Sequence, residues 1–294
     1  MADEFPLASL YGMRPAPQRV AQAGMSALEE ELQGRFDRTR ADEKERVKAF
    51  DPMAKAFVAS LGGEERVRPT LERLARTEDR RRKQKLAPPD VAGPAERIFT
   101  GSIGATVVPT YNYQWTWSAQ DGGASVGVNA NRNNGAIGFD LWNAGQSASA
   151  SAATAVGFFF RPMVTNGILR ISSNPAFNYS WWTSCWLASA HSDGWLGFYV
   201  GRYTLAGGFD GAPVFQQSML WNDDSWFSGA GFHSGSNSGY PLFAQSNVDS
   251  AHWYAIWVWC GGRATGAGWG SPFSGSGAGS SLAATVPSIT WELF

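Results

Sequence analysis

Residues 111–118, Tyr-Asn-Tyr-Gln-Trp-Thr-Trp-Ser, alternate aromatic and polar side chains without a break. Because successive side chains of a β-strand point to opposite faces, this alternation predicts a strand with four aromatic rings on one face. Such a row of rings needs a second layer to cover it. The stretch therefore indicates a β domain with a packed interior.

The neighbouring sequence continues the same period. Alternating apolar residues flank residues 131–135, Asn-Arg-Asn-Asn-Gly, which predicts a hairpin. A second hairpin is predicted around Thr165-Asn166-Gly167, between strands 155–164 and 168–172. Further strands are predicted near residues 178–190, 195–205, 213–221, 251–260 and 286–294. Nine or ten strands without a helical pattern favour an antiparallel β-sandwich, of jelly-roll type, over residues 98–294.

The strand at 251–260 is apolar at odd and even positions alike. One face can meet the domain core, and the other needs cover from a neighbouring subunit, a flanking loop or a ligand. Residues 261–284 are rich in Gly, Ser and Ala and predict a long surface loop, with a shorter one at 147–153.

Charge divides the chain into two parts. The first 97 residues hold 19 Lys and Arg and 17 Asp and Glu, whereas the remaining 197 hold 5 and 8. All 14 Trp and 28 of the 34 Gly lie in the second part. Near-neutral charge in both parts argues against a nucleic-acid binder held by counterion release.

The first part predicts an extended docking arm at residues 1–17, because prolines interrupt any regular pattern there. Apolar residues at helical spacing then predict a long helix over 18–50. Asp51-Pro52 predicts the start of a short second helix that Gly62-Gly63 ends, and a third helix is predicted from Pro69 onward.

The apolar stripe of these helices is too narrow for a large monomeric core, so it favours a partner helix from this chain or from other copies. Residues 18–85 are therefore predicted to be a helical oligomerisation or docking segment, followed by a Pro-rich linker at 86–97. The candidate oligomerisation residues are Met25, Leu28, Leu32, Phe36, Leu71 and Leu74.

The sequence shows no signal for several classes of protein. No apolar run is long enough for an ordinary transmembrane helix, and the N-terminus lacks the pattern of a secretory signal peptide. Cys185 and Cys260 are too few for a disulfide framework, which favours buried free thiols, with a single bridge as the alternative.

Carboxylates and imidazoles, the groups that acid–base catalysis needs, are scarce in the second part of the chain. Asp223-Asp224 and the segment His191-Ser192-Asp193-Gly194 both favour turns over catalytic sites, since sequence neighbours rarely converge on one bond. The histidines and cysteines show no zinc-site spacing, and no nucleotide-binding or hydrolase motif occurs. We therefore expect no catalytic residue, no metal and no cofactor.

Tryptophan is the feature left to explain. Trp and Tyr offer rigid contact surfaces with a polar edge, and sugar rings stack on such aromatics. Strand Trp residues also serve as core or subunit packing, so residues predicted to lie in loops are the better ligand-binding candidates. They are Trp221, Trp226, Tyr240 and Trp269.

An arm, a charged helical segment, a Pro-rich linker and a Trp-rich β head of low charge follow one another along the whole chain. This order resembles fibres and receptor-binding proteins of tailed phages and of phage-derived contractile injection particles. The resemblance implies a homo-oligomer, with a trimer favoured, that docks on a particle through residues 1–85. It also implies a head that binds a cell-surface glycan or protein, and a protein made in the cytoplasm that then becomes part of a virion or extracellular particle.

Two other functions stay open. A stand-alone lectin-like carbohydrate-binding module would use the head alone, with its helices bound to a different protein. A glycan-degrading hydrolase is the less favoured alternative, since it would need two carboxylates placed across one glycosidic bond.

Overall fold

The computed structural model describes residues 16–63, 65–66, 68–69, 72–73, 103–144, 147–268 and 275–294. It shows a mostly antiparallel β head with one long N-terminal helix, which confirms the α+β class at this level. The elements are α1 (Ala16–Ser60), β1 (Ile103–Val107), β2 (Tyr113–Asp121), β3 (Ser125–Asn131), β4 (Ala136–Ala144), β5 (Ala148–Phe160), β6 (Gly167–Ser173), β7 (Ala176–Thr204), β8 (Val214–Phe215), β9 (Ser218–Asn237), β10 (Leu242–Val248), β11 (His252–Gly268), β12 (Gly275–Thr285) and β13 (Ile289–Leu293).

Helix α1 runs through Pro52 as one element of 45 residues, so the predicted break at Asp51-Pro52 is wrong. A proline inside a helix removes one backbone hydrogen bond, but packing can outweigh that cost. Here Phe50 on one side of Pro52 and Val58 on the other pack into the same apolar cluster on the head. Tertiary contacts therefore hold the helix together where local propensity predicts its end.

Helix α1 ends just before Gly62-Gly63, where these glycines predict a helix end. The amide of Gly62 donates to the carbonyl of Ala59 at 3.2 Å, and that of Gly63 donates to Val58 at 3.0 Å. Both glycines adopt positive φ angles, of 90° and 87°, which completes a Schellman cap. At the other end, residues 16–17 of the predicted arm are already helical, and residues 1–15 lie outside the described residues.

Among the described residues, nine strands form the main sheet, and β7 is its central strand. Residues 176–186 of β7 pair with β12, residues 188–204 pair with β11 on the same edge, and β9 pairs along the other edge. Beyond them, β4 pairs with β12 and β5 with β11, while β3 and β2 extend the two rows. Strand by strand, the sheet thus consists of two matched halves joined end to end.

The sheet is folded where the two halves meet. Non-glycine residues with positive φ lie along this line at Ser147, Leu187 and Phe227. Across the fold, the amide of Gly138 in β4 donates to Oγ1 of Thr154 in β5 at 3.0 Å. We call the half with β2, β5, β8, β11 and the adjoining parts of β7 and β9 the helix layer, because α1 packs on its outer face. The other half, with β3, β4 and β12, is the distal layer.

A second sheet, in the order β1-β13-β6-β10, shares the core between the layers. The middle of strand β11 packs on both of its faces, as its sequence predicts. Tyr254 and Ile256 face the core between the layers, whereas Trp257 and Trp259 face outward into a cluster with Leu28 of α1. The outer cover therefore comes from the chain's own helix.

This packing also bears on the residues that were predicted to form the oligomer interface. Met25, Leu28 and Leu32 lie in the cluster with the outer Trp residues, and Phe36 is buried as well. A partner helix is thus not needed to cover this stripe, since the head covers it. Leu71 and Leu74 lie outside the residues whose side chains are described, and oligomerisation stays a prediction.

The predicted turns had mixed outcomes. The hairpin at 131–135 is confirmed, with Asn131 opposite Ala136 and Gly135 at φ 73°. The hairpin around residues 165–167 is wrong, because β5 pairs with β2 and β11 whereas β6 pairs with β10 and β13. Both cysteines are free and buried, as the favoured interpretation expected.

The predictions of surface loops at 147–153 and 261–284 are wrong for most of the described residues, while residues 269–274 lie outside them. Residues 148–160 form β5, and residues 261–268 and 275–285 belong to β11 and β12. A Cβ atom on Gly262 would lie 2.6 Å from the Phe139 ring of the other layer. Small side chains here allow backbones and aromatic rings to approach closely, which is a different use of glycine from the one in a loop.

We predict that Gly279→Ala lowers the free energy of unfolding by about 1–3 kcal/mol. The added Cβ would collide with the indole of Trp182 on the neighbouring strand. Urea unfolding measures the loss. Gly239→Ala is the matched control, because a Cβ there meets no atom within 4 Å, and an equal effect of both substitutions would contradict the packing argument.

Candidate ligand-binding groove at the open edge of the head

The edge strand β9 borders the gap between the two layers. Its first part, residues 218–226, belongs to the helix layer and pairs with residues 189–196 of β7. Its second part, residues 228–237, belongs to the distal layer and pairs with residues 177–186. Because β9 passes from one layer to the other at Phe227 and pairs with β7 along one side, it forms an edge of the sandwich.

A row of rings lies along this edge. Tyr179 and Trp181 occupy alternate positions of β7, and His233 of β9 lies directly opposite Trp181. The His233 ring centroid lies 5.7 Å from that of Tyr179 and 6.2 Å from that of Trp181. Tyr179 and Trp181 are half-buried and His233 is exposed, so part of each ring faces solvent.

Glycines on β9 leave space beside these rings. A Cβ on Gly231 would lie 2.9 Å from the Trp181 ring, and one on Gly235 would lie 2.8 Å from the Tyr179 ring. Rings that lie over cross-strand glycines are fixed in position by the backbone beneath them. These glycines therefore allow the rings of Tyr179 and Trp181 to pack directly on the backbone of β9.

Two half-buried polar residues of β9, Asp223 and Ser225, lie beside these rings and bond to the buried Thr183. The Thr183 hydroxyl donates a short hydrogen bond to Oδ2 of Asp223, and lies 2.7 Å from the Ser225 hydroxyl. This contact joins the two layers, since Asp223 belongs to the helix layer and Thr183 to the distal layer. Aromatic faces beside a carboxylate and hydroxyls match the two sides of a sugar ring, which presents apolar C–H faces and a polar rim.

The predicted ligand-binding residues occupy different places. Trp221 is only 6% exposed and stacks on Tyr179 with ring centroids 5.4 Å apart, so it forms the inner end of the row and is not a surface contact. Tyr240 is half-buried and lies 5.8 Å from the Phe177 ring, further along the same aromatic network. Trp226 is 45% exposed on the outer face. Trp269 lies outside the described residues.

Sequence reasoning missed Tyr179, Trp181 and His233 as site residues, and it wrongly placed Asp223-Asp224 in a turn. Both aspartates lie on β9, and their side chains point to opposite faces, as an extended backbone requires. The alternation of the aromatic residues Phe177, Tyr179 and Trp181 was the signal that could have identified this site.

The segment His191-Ser192-Asp193-Gly194 is also strand rather than turn. His191 Nδ1 lies 2.8 Å from Asp224 Oδ1, and its Nε2 lies 3.0 Å from Asp193 Oδ2. Burial lowers the pKa of His191, but hydrogen bonds to the two carboxylates and their charges outweigh it and raise the pKa to about 9. With both nitrogens bonded and the ring protonated at neutral pH, His191 is unsuited to act as a general base.

Two further searches bear on the site. Within the residues that the structure describes, no group of three or more His, Cys, Asp or Glu side chains is arranged to hold a metal ion. No helix in the same part of the chain is both long and apolar enough to span a membrane.

No protein-family model and no curated protein matches the chain. Among solved structures, the K1 cleaved adhesin domain of Lys-gingipain from Porphyromonas gingivalis is 8% identical over 55% of this chain and 97% of that one, with a TM-score of 0.18. The CBM22-1 xylan-binding domain of Paenibacillus barcinonensis Xyn10C is 13% identical over 55% and 96%, at 0.14. The enzymatically active domain of bacteriophage CBA120 tailspike protein 4 is 11% identical over 50% and 19%, at 0.15. Scores this low establish neither a family nor a shared fold.

We predict that Trp221→Ala lowers the free energy of unfolding by about 3–5 kcal/mol, because it empties a buried site. Trp226→Ala removes a ring that is 45% exposed and should cost well under half as much. Thermal unfolding followed by circular dichroism compares the two. A larger loss for Trp226→Ala would contradict the assignment of Trp221 to the core.

Proposed function

We propose that this protein is a non-enzymatic attachment protein whose β head binds carbohydrate in the groove along β9. The observation that carries the proposal is the row of partly exposed rings of Tyr179, Trp181 and His233 beside the half-buried Asp223 and Ser225. Stacking on the rings and hydrogen bonds to the polar groups would together orient a sugar. A cell-surface glycan is the ligand class that such a groove fits best.

The order of segments in the chain supports the remainder of the proposal. Residues 1–85 would anchor the protein to a phage-like particle, and the assembled form would be a homo-oligomer, with a trimer favoured. The docking of α1 on the head limits which side of the helix could contact a neighbouring molecule. The helix would contribute its exposed, charged side to a neighbour, because its apolar side is in contact with the sheet.

The positions of the aspartates support a binding role over hydrolysis. Asp223 accepts from Thr183 inside the groove, whereas Asp224 pairs with His191 on the opposite face of β9. Two carboxylates on opposite faces of one strand cannot flank the same glycosidic bond. A stand-alone carbohydrate-binding module is the second candidate, and it is favoured by a groove built from one copy of the head alone.

Glycan-array binding by the full chain tests the proposal. We expect Trp181→Ala to weaken binding of the best glycan at least tenfold, which corresponds to about 1.4 kcal/mol and is within the range of one lost aromatic contact. Trp226→Ala is the matched control, since it removes an exposed Trp from the other face of β9, and it should leave affinity within twofold.

Two results would contradict the carbohydrate proposal: no binding to any glycan by the folded chain, or equal affinity of the wild type and Trp181→Ala. The attachment part has a separate test. Sedimentation of a folded monomer at micromolar concentration would exclude the oligomer and favour the stand-alone module.

A further inference from the structure

The outer face of the distal layer carries a tryptophan that is almost completely buried. Phe177 and Cys185 of β7 face the core between the layers, so the even-numbered residues between them point outward. Among these, Trp182 is only 6% exposed and Ser184 only 3%. A large ring on the outer face of a sheet reaches such burial only when a further layer covers it.

The neighbouring strands do not supply that layer. Toward β12, Gly279 lies opposite Trp182 and Gly277 lies opposite Ser184, and the indole of Trp182 packs directly over the backbone of Gly279. Toward β9, Phe232 lies opposite Trp182 but is itself 44% exposed. The covered area is therefore a flat strip of glycine and serine around one large ring.

Helix α1 ends where this strip begins. The ring centroids of Phe57 in α1 and Trp186 in β7 lie 6.3 Å apart. Trp182 lies four residues further along the strand, about 13 Å away. Because α1 ends at Ser60, the cover of Trp182 has to come from another part of the chain or from another molecule.

The residues that follow α1 turn a polar side to solvent. The described residues between 65 and 73 are helical and exposed, and at about 100° per residue they occupy less than half of the circumference of a helix. A helix through them places positions 67, 71 and 74 together on the opposite side. These positions are Val67, Leu71 and Leu74, so an apolar stripe lies opposite the exposed side.

We propose that residues 64–85 form a second helical cover, which packs on the outer face of the distal layer through Val67, Leu71 and Leu74. Trp182 supplies the apolar area that such a stripe needs, and the glycines of β12 beside it allow a helix to approach closely. The two layers of the head are then covered in the same way, each by one helix of the N-terminal part.

The length of the segment fits this position. A helix over residues 64–85 is about 33 Å long, whereas the outward positions of β7 from Asn178 to Trp186 span about 26 Å. Residues 86–102 remain to connect the end of the helix with β1 at Ile103.

The chain's own segment is favoured over a second copy of the molecule as the occupant. The contact of Phe57 with Trp186 holds the end of α1 at the edge of the strip. A short tether of this kind gives a local concentration of about millimolar, which exceeds the micromolar concentration of a free copy. Leu71 and Leu74 then cover the head instead of forming the predicted oligomer interface.

Photocrosslinking of the full-length protein locates the segment. Leu71 is replaced by p-benzoylphenylalanine, and the protein is refolded from an equal mixture of light and ¹⁵N-labelled chains before irradiation. We expect adducts to residues 180–186 of β7 or 277–281 of β12. Mixed light–heavy adducts should make up at most about a tenth of the total, given the advantage of the tether. The same probe at the exposed Arg66 is the matched control and should give at least tenfold fewer adducts to the head.

Hydrogen exchange gives a second measurement that needs no crosslink. Leu71→Asp should lower the protection of residues 65–78 at least tenfold, because an aspartate is not buried without a partner. Arg66→Asp places the same side chain on the exposed side of the same helix and should change protection less than threefold. Protection of β11 in the helix layer should stay unchanged in both variants, which separates release of the segment from unfolding.

Four results would overturn the proposal. Adducts to a different face would place the segment elsewhere, and mixed adducts at half of the total would identify a second copy as the occupant. Equal loss of protection in the two variants would remove the role of the apolar stripe, and an unprotected segment in the wild type would exclude a stable cover. None of these measurements involves a glycan, so the cover and the proposed binding function succeed or fail separately.

Discussion

The outer face of the helix layer cannot be left to water. Trp257 and Trp259 are fully buried there, and Trp115 lies beside them. Each large aromatic side chain buries roughly 150–250 Å², so the sheet needs a continuous apolar cover. Helix α1 supplies it with Met25, Leu28 and Leu32. The narrow apolar stripe of the helix and the two-sided apolar pattern of β11 are therefore the two halves of one interface.

This cover explains the charges that it encloses. A helix with one narrow stripe carries polar residues at the margins of its buried face, and each of these needs a partner. Glu29, Thr39 and Glu43 find theirs on three different strands of the head. These three contacts define one position of the helix on the sheet.

Local sequence predicted the features that local sequence controls. Gly135 identifies the hairpin between β3 and β4, and Gly62-Gly63 identifies the end of α1, because both positions need positive φ. The period of two identifies the β head and the two-sided burial of β11. The helix that covers β11 could not be identified in this way, since its contacts join residues more than 80 positions apart in the chain.

The failures have a common physical origin. Gly262 and Gly279 lie in segments whose composition is typical of a loop. In the structure, the rings of Phe139 and Trp182 pack closely on these glycines, and the segments are strands. His191 and Asp223 likewise sit in turn-like sequences, and cross-strand partners make those segments extended. The groove was missed for the same reason, since its rings and its glycines come from two strands that meet only after the sheet folds.

The continuity of β7 has a consequence for how the head opens. Its 29 residues supply a central strand to the helix layer and to the distal layer. Neither layer can unfold while the other keeps all of its backbone pairing, because both would lose the same strand. The head should therefore behave as a single foldon, with slow global opening rather than stepwise loss of one layer. A head built in this way would keep both layers, and the aromatic edge along β9, under conditions that separate ordinary two-layer domains.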